Sequence, residues 1–267
     1  MKKFLSMVLA LAMSTSLFTF SASAKDFTDS SKIKYSEAVD VVSALDIVDG
    51  YADGSFNPSA TLTRGAAAKI ICNMILGPTT ADALSADTAP FKDVPANHTF
   101  SGYIAYCAQK GIISGYADGT FRPAGTLTGY AFMKMLLGAL GYDADIEGYT
   151  GSNWTVAVAK QAMGIGLDDG NDKFVGTQAV TREEACLYAF NTLTADVVEY
   201  GSKTTVNING ATVVVGGNEA SKVSNTAAAS KHYDGEGDGV MQFCEQYFKD
   251  LKLKSGESQD DFGRPAK

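Results

Sequence analysis

Histidine is nearly absent from this chain, with only His98 and His232, in unrelated contexts. No G-x-S-x-G, H-E-x-x-H or phosphate-loop motif occurs either, so the usual serine-hydrolase, zinc-protease and nucleotide chemistries have no footing. The adjacent carboxylates Asp168-Asp169 and Glu183-Glu184 fit a solvated turn and a helix start better than an acid–base pair. No catalytic residue is assigned. None of the four cysteines falls in a C-x-x-C pair, which argues against zinc. Two disulfides would be compatible with an exported chain. Cys72 and Cys107, however, sit among apolar residues at helical spacing and read as buried free thiols. Cations are outnumbered, 22 Lys and Arg against 30 Asp and Glu, for a formal charge of −8. Such a chain is a poor general nucleic-acid binder, because phosphate binding needs clustered cations. Beyond the N-terminus no apolar run approaches the ~18 residues of a spanning helix.

Residues 1–24 read as a signal peptide. Lys2 and Lys3 precede an apolar run from Phe4 to about Phe20, and Ala22-Ser23-Ala24 offers a cleavage site. The mature protein is therefore expected to be secreted, with no membrane association once the signal is removed.

What the chain does have is a repeat. Residues 45–64 align without gaps on residues 110–129 with 11 of 20 identities, centred on Gly50-Tyr51-Ala52-Asp53-Gly54 and Gly115-Tyr116-Ala117-Asp118-Gly119. Repetition at this period marks an array of one small unit. The first unit, 26–77, predicts a helix with Ala38, Val41, Val42 and Leu45 on one face. After the turn comes a second helix, begun by Thr63 and carrying Ala67, Ile70, Ile71 and Met74. Pro78 to Pro90 reads as a linker. The second unit, 91–143, repeats the plan, with Tyr103, Ile104 and Cys107 on its first helix and Phe132, Met135, Leu136 and Leu140 on its second. A worn third unit, 148–200, keeps 4 of the 20 positions and starts its last helix at Thr181-Arg182. The tail, 201–267, holds a hairpin signal around Asn209-Gly210, a polar stretch from Asn218 to Gly239, and an amphipathic helix from Val240 to Leu251. It ends without an obvious stop, which leaves a truncated reading frame open.

Three features meet at each turn. Gly54 and Gly119 permit positive φ and close approach of a ligand. Tyr51 and Tyr116 offer flat faces on which sugars stack, whereas Phe56 and Phe121 fit better as core plugs. Thr63, Thr128 and Thr181 are good N-caps, and Thr181 with Glu184 makes a capping box. Arg64 and Arg182 follow two of these caps directly. A cation there opposes the helix dipole, so it calls for another reason. One reason is an anion held by guanidinium and free helix-start amides together. The other is an internal ion pair, such as Arg64 with Asp53. Unit two has Gly129 in that place, which weakens or removes its anion site. The Asp49-to-Gly54 segment only superficially resembles a calcium loop, since Tyr51 and Ala60 occupy ligand positions. No metal or cofactor is expected.

These motifs resemble the S-layer homology domain family, whose pattern is an opening F-x-D-V, a central G-Y-x-D-G-T-F-x-P and a closing T-R-A-E. Phe91-Lys92-Asp93-Val94 and Gly115 to Pro123 match it fully. Unit one keeps Leu62-Thr63-Arg64-Gly65, and unit three keeps Val180-Thr181-Arg182-Glu183 but has lost the turn. The resemblance implies a mainly α fold: three helix–loop–helix repeats packed as a pseudo-threefold single-chain trimer around a central helical bundle. It implies a non-catalytic anchor whose inter-repeat grooves bind secondary cell-wall polysaccharide, often a pyruvylated sugar met by the closing arginine. By residue matching, Asp53, Gly54, Asp118 and Gly119 would shape grooves in which Arg64 and Arg182 take the carboxylate. The alternatives are an anchored enzyme with its active part beyond residue 200, and a self-assembling surface layer, so self-association stays open.

Overall fold

The computed structural model of the protein describes residues 25–202, 204–208, 211–225 and 238–248. The expected signal peptide and the chain beyond residue 248 lie outside the described residues.

Each repeated turn is built from its own side chains. Asp53 accepts hydrogen bonds from the Ser55 amide and hydroxyl at 3.0 and 2.7 Å, and Asp118 does the same with Thr120 at 2.9 and 2.6 Å. Gly54 and Gly119 take φ of 80° and 81°, a region a side chain rarely tolerates. The F-x-D opening then locks the turn from outside. Asp29 accepts the Phe56 and Asn57 amides at 2.7 and 2.8 Å, and Asp93 accepts those of Phe121 and Arg122, both at 2.7 Å. Phe27 packs against Phe56 and Phe91 against Phe121, with ring centroids 5.2 and 5.3 Å apart. Phe56 and Phe121 are fully buried plugs. Each contributes about 1.5–3 kcal/mol by leaving water.

The helices are α1 (Ser36–Ala44), α2 (Arg64–Leu76), α3 (Pro78–Asp82), α4 (Ser101–Gln109), α5 (Gly129–Ala139), α6 (Trp154–Gly164), α7 (Arg182–Leu193) and α8 (Phe243–Tyr247). The stretch expected to be a linker thus opens with α3, where Pro78 stands at the first helical position and needs no amide partner. On α1, Ala38, Val42 and Leu45 of the expected stripe are buried, while Val39 takes the inward place expected of Val41, which is only half-buried. Thr63, Thr128 and Thr181 cap α2, α5 and α7, each hydroxyl accepting from the third residue on, and Thr181 with Glu184 completes the capping box. Burial runs almost all round α7, from Ala185 to Phe190 and on to Thr192 and Leu193, which marks it as a core helix.

The packing is cyclic. The first helix of each segment rests on the capped helix of the segment before it: α4 on α2, α6 on α5, and α1 back on α7. Helix α5 also touches both α2 and α7. Where the chain enters the capped helices, three buried residues close a ring of backbone hydrogen bonds. Leu62 donates to Val180 at 2.9 Å, Val180 to Leu127 at 2.9 Å, and Leu127 to Leu62 at 3.0 Å.

Two small antiparallel sheets complete the helix-rich fold. β2 (Thr204–Ile208) pairs with β3 (Ala211–Val215) in the register expected of a hairpin, Ile208 opposite Ala211; Asn209 and Gly210 lie outside the described residues. β1 (Val198–Tyr200) pairs with β4 (Ala220–Lys222). That strand falls within the polar stretch that runs from Asn218 to Gly239. It forms because Val197, Val223 and Met241 exchange backbone hydrogen bonds and because Met241 and Phe243 are buried against the helices. α8 is accordingly shorter than the 240–251 helix expected, and Leu251 lies outside the described residues.

Candidate functional site

Arg64 leaves the start of α2 and lies along the turn of the next segment. Its Nε donates to Phe121 O at 2.7 Å and its Nη2 to Ser114 O at 3.1 Å. The guanidinium sits 4.3 Å from the Phe121 ring centroid and 5.0 Å from that of Tyr116. Arg182 repeats the arrangement on the first turn. It donates to Phe56 O at 2.9 Å and Asp49 O at 2.7 Å, and lies 4.7 Å from the Tyr51 ring and 4.9 Å from that of Phe56. The two arginines are therefore matched with turns far from them in sequence, and the Arg64–Asp53 ion pair, the alternative to an anion site, does not form. Asp53 is engaged by Ser55, and no ion pair involves Arg64 or Arg182 among the described residues.

The expected free helix-start amides are not free. Arg64 N donates to Gly125 O and Gly65 N to Pro123 O, both at 2.9 Å. Arg182 N and Glu183 N donate likewise to Ala60 O and Pro58 O. Backbone carbonyls of the neighbouring turn satisfy the donors that an anion would have used. What remains for an anion is the guanidinium itself, with two of its five N–H groups spent on carbonyls.

Arg64 opens onto a groove of about 450 Å³. Tyr116, Thr128, Lys134, Tyr149 and Trp154 share its walls, so residues 114–128, α5 and the start of α6 all contribute. Tyr116 is 44% exposed, enough to present a ring face. Lys134 donates to Tyr149 O at 2.7 Å and lies 5.7 Å from the Trp154 ring. Burial lowers the Lys134 ammonium from its ordinary pKa, with Asp145 pulling the other way. Burial likewise lowers Arg64, offset by Tyr116 and reinforced by Arg122. The Tyr149 hydroxyl is buried and has no hydrogen-bond partner among the described residues. A second hollow of about 280 Å³ adjoins, sharing Ile112, Ser114, Lys134 and Thr150. Arg122 adds a further cation 4.1 Å from the Tyr116 ring, tied to Asp118 at 3.0 Å.

Of the residues singled out in the sequence, Arg64, Tyr116 and Thr128 meet in this groove, with Asp118 and Gly119 at the tip of its turn. Arg182 meets Tyr51, with Asp53 and Gly54 at the tip of theirs. Thr63 and Thr181 act as the caps that start the two arginine helices. Sequence reasoning missed Lys134, Tyr149 and Trp154. Two signals were present: Lys134 repeats Lys69 at the 65-residue spacing, and Trp154 is the single tryptophan.

The remaining junction has no arginine. Gly129 N and Tyr130 N donate to Gln178 O and Gly176 O, the same two bonds as elsewhere. Tyr130 instead meets Phe174 edge-on, with centroids 5.6 Å apart. Two glycines make room: a Cβ at Gly129 would stand 2.8 Å from Phe174, and one at Gly176 2.2 Å from Tyr130. That contact explains why glycine replaces both the arginine of the closing motif and the proline of the turn.

Comparison with known proteins follows the same division. The chain is 24% identical over 217 residues to a surface layer protein of Brevibacillus choshinensis, a match covering 80% of this chain and 19% of that protein. It is 34% identical over 79 residues to the cellulosome-anchoring protein of Acetivibrio thermocellus, covering 30% of this chain and 17% of the relative. It is also 29% identical over 153 residues to an uncharacterized cell wall amidase of Bacillus anthracis, covering 54% and 28%. The chain thus spans less than a third of the length of each of these relatives. Residues 26–68 and 90–129, the two segments with intact turns, match the S-layer homology domain.

Proposed function

We propose that this protein is a non-catalytic anchor that holds an acidic cell-wall glycan, a pyruvylated secondary polysaccharide, in grooves between its repeats. Its place is the cell surface or cell wall, given the two S-layer homology segments and the surface-protein relatives. The single observation that carries the reading is the Arg64 groove: a guanidinium with unspent N–H groups, a second cation at Lys134, and Tyr116 and Trp154 as ring platforms. A sugar carboxylate takes a two-point bond from Arg64, the charge-assisted geometry guanidinium favours, while sugar C–H faces lie on the aromatic rings.

We read residues 148–200 as a third, degenerate repeat, and the molecule as a pseudo-threefold trimer of repeats from one chain. The cyclic helix packing and the Leu62–Val180–Leu127 ring support this. The Arg182–Tyr51 clasp repeats the arginine–tyrosine arrangement as a second candidate site, and the Tyr130–Phe174 junction lacks the arginine. Two sites on one molecule raise avidity for a polymer long enough to reach both.

The likeness to a cell wall amidase favours a second reading, in which this part anchors a chain with its own catalysis. The repeats would bind glycan in either case. Sedimentation with purified cell walls, with and without their non-peptidoglycan polymer, tests the proposal. Binding should require that polymer; equal sedimentation with both preparations would overturn it.

A further inference from the structure

We propose that Cys72 and Cys107 form a disulfide site, a covalent bridge between α2 of the first segment and α4 of the second. Both thiols are fully buried, and their sulfurs lie 3.6 Å apart across the α2–α4 contact. Each is also fixed in direction by a backbone carbonyl, Cys72 by Tyr103 O at 3.6 Å and Cys107 by Ala68 O at 3.7 Å. A bond of about 2.05 Å needs the sulfurs to close roughly 1.5 Å, which side-chain rotation on two packed helices can supply. The bridge would close a loop across 35 positions of sequence, long enough to restrain the unfolded chain substantially.

The oxidant is a small-molecule disulfide such as oxidised glutathione. One cysteine thiolate attacks it, forming a mixed disulfide and releasing one glutathione thiolate. The other cysteine thiolate attacks the protein sulfur of that intermediate and releases the second. Two cysteines are oxidised, one glutathione disulfide is reduced to two thiols, and the two cysteine protons pass to the departing thiolates. In the folded protein, the hydrogen bond with Cys72 and burial hold the Cys107 thiol far above its ordinary pKa, so little thiolate exists there. The bridge is therefore set while the chain folds, and burial then shields it from reductants. An oxidising exterior is where a surface protein would meet such a reagent, but the chemistry is testable without reference to the glycan.

The full chain is refolded with oxidised and reduced glutathione, and in parallel with reductant alone. After denaturation under acid, thiols are counted and peptides mapped by mass. The oxidised sample should lose two thiols, yield one cross-linked peptide pair containing Cys72 and Cys107, and melt about 10 °C higher. Cys72→Ala and Cys107→Ala should each abolish the pair and the shift. Four free thiols after oxidation, or a bridge through Cys186 or Cys244 in its place, would overturn the proposal. Peptide mapping of the unsubstituted protein decides the matter even if a variant fails to fold. Loss of wall binding with an intact bridge would count against the glycan reading alone.

Discussion

Replacing Arg64 separates architecture from recognition. In Arg64→Ala the Phe121 and Ser114 carbonyls lose their guanidinium bonds, and the contacts with the Phe121 and Tyr116 rings disappear. Charge-assisted hydrogen bonds contribute roughly 1.5–3 kcal/mol when buried. Here the carbonyls border a groove that water can enter, and removing a cation from a helix start returns about 0.3–1 kcal/mol. The net cost is about 2 kcal/mol, a fall in melting temperature of roughly 4–8 °C for a chain of this size. Glycan affinity should fall further than this destabilisation accounts for. Losing a two-point bond to a carboxylate costs about 1.5–3 kcal/mol, or roughly 10- to 150-fold. Arg64→Lys keeps the charge without the planar fork, so it should recover part of the stability and little of the affinity. Lys160→Ala, which removes an exposed cation elsewhere, is the control. Binding to purified wall polymer is measured by calorimetry well below every melting point, alongside thermal unfolding. Arg64→Ala binding within twofold of the unsubstituted protein, with Lys160→Ala binding equally well, would refute the reasoning.

Lys134→Ala and Trp154→Ala should each weaken binding several-fold while leaving helical content by circular dichroism unchanged, since both line the groove wall. Arg182→Ala should cost less affinity than Arg64→Ala in the same calorimetric assay, because Lys69, the repeat counterpart of Lys134, is paired with Asp82 at 3.3 Å. Gly129→Ala should lower the melting temperature without touching an arginine, since its Cβ would stand 2.8 Å from Phe174 and 3.2 Å from the Gly176 backbone; overpacking of this kind costs about 1–3 kcal/mol. Acid should destabilise the fold. Asp29 is held below its ordinary pKa chiefly by the Phe56 amide, and Asp118 is lowered to about 2 chiefly by the Thr120 hydroxyl. With the folded pKa depressed, this stabilisation is present above the unfolded value near 3.9 and is lost as pH falls from there toward about 2. Melting curves across that window should show a steep decline that Asp118→Asn makes shallower.

The turns and caps were legible because the side-chain bonds that begin them are local. Gly54, Asp53 and Ser55 build a turn within three residues, and Thr63 caps a helix whose third amide it accepts. The opening F-x-D could be read as a motif but not as a clamp, because Asp29 reaches the turn 27 and 28 positions away. The site itself was half legible. The guanidinium, the tyrosine and the glycine turn were each visible, but Arg64 acts on residues 50 and 57 positions downstream, and Arg182 on residues 126 and 133 positions upstream. Nothing in a linear pattern specifies that pairing. The free-amide argument failed for the same reason: the carbonyls that satisfy those donors belong to another segment. The β1–β4 sheet escaped notice because three-residue strands carry almost no periodicity.

The junction without an arginine bears on why the other two keep theirs. At all three junctions the first two amides of the capped helix donate to carbonyls of a neighbouring turn: Arg64 and Gly65, Gly129 and Tyr130, Arg182 and Glu183. The stitching is therefore complete at Gly129 with no side chain at all, and an aromatic contact fills the space. A guanidinium is not what the architecture requires at that position. It costs stability through burial and through its place at the positive end of a helix. Recovering two carbonyl bonds offsets that cost and aims the group, leaving its other N–H donors available. A guanidinium that the backbone stitching does not require, held in place by carbonyls and bordered by ring faces, fits the role proposed for it, to meet a negatively charged, ring-bearing ligand.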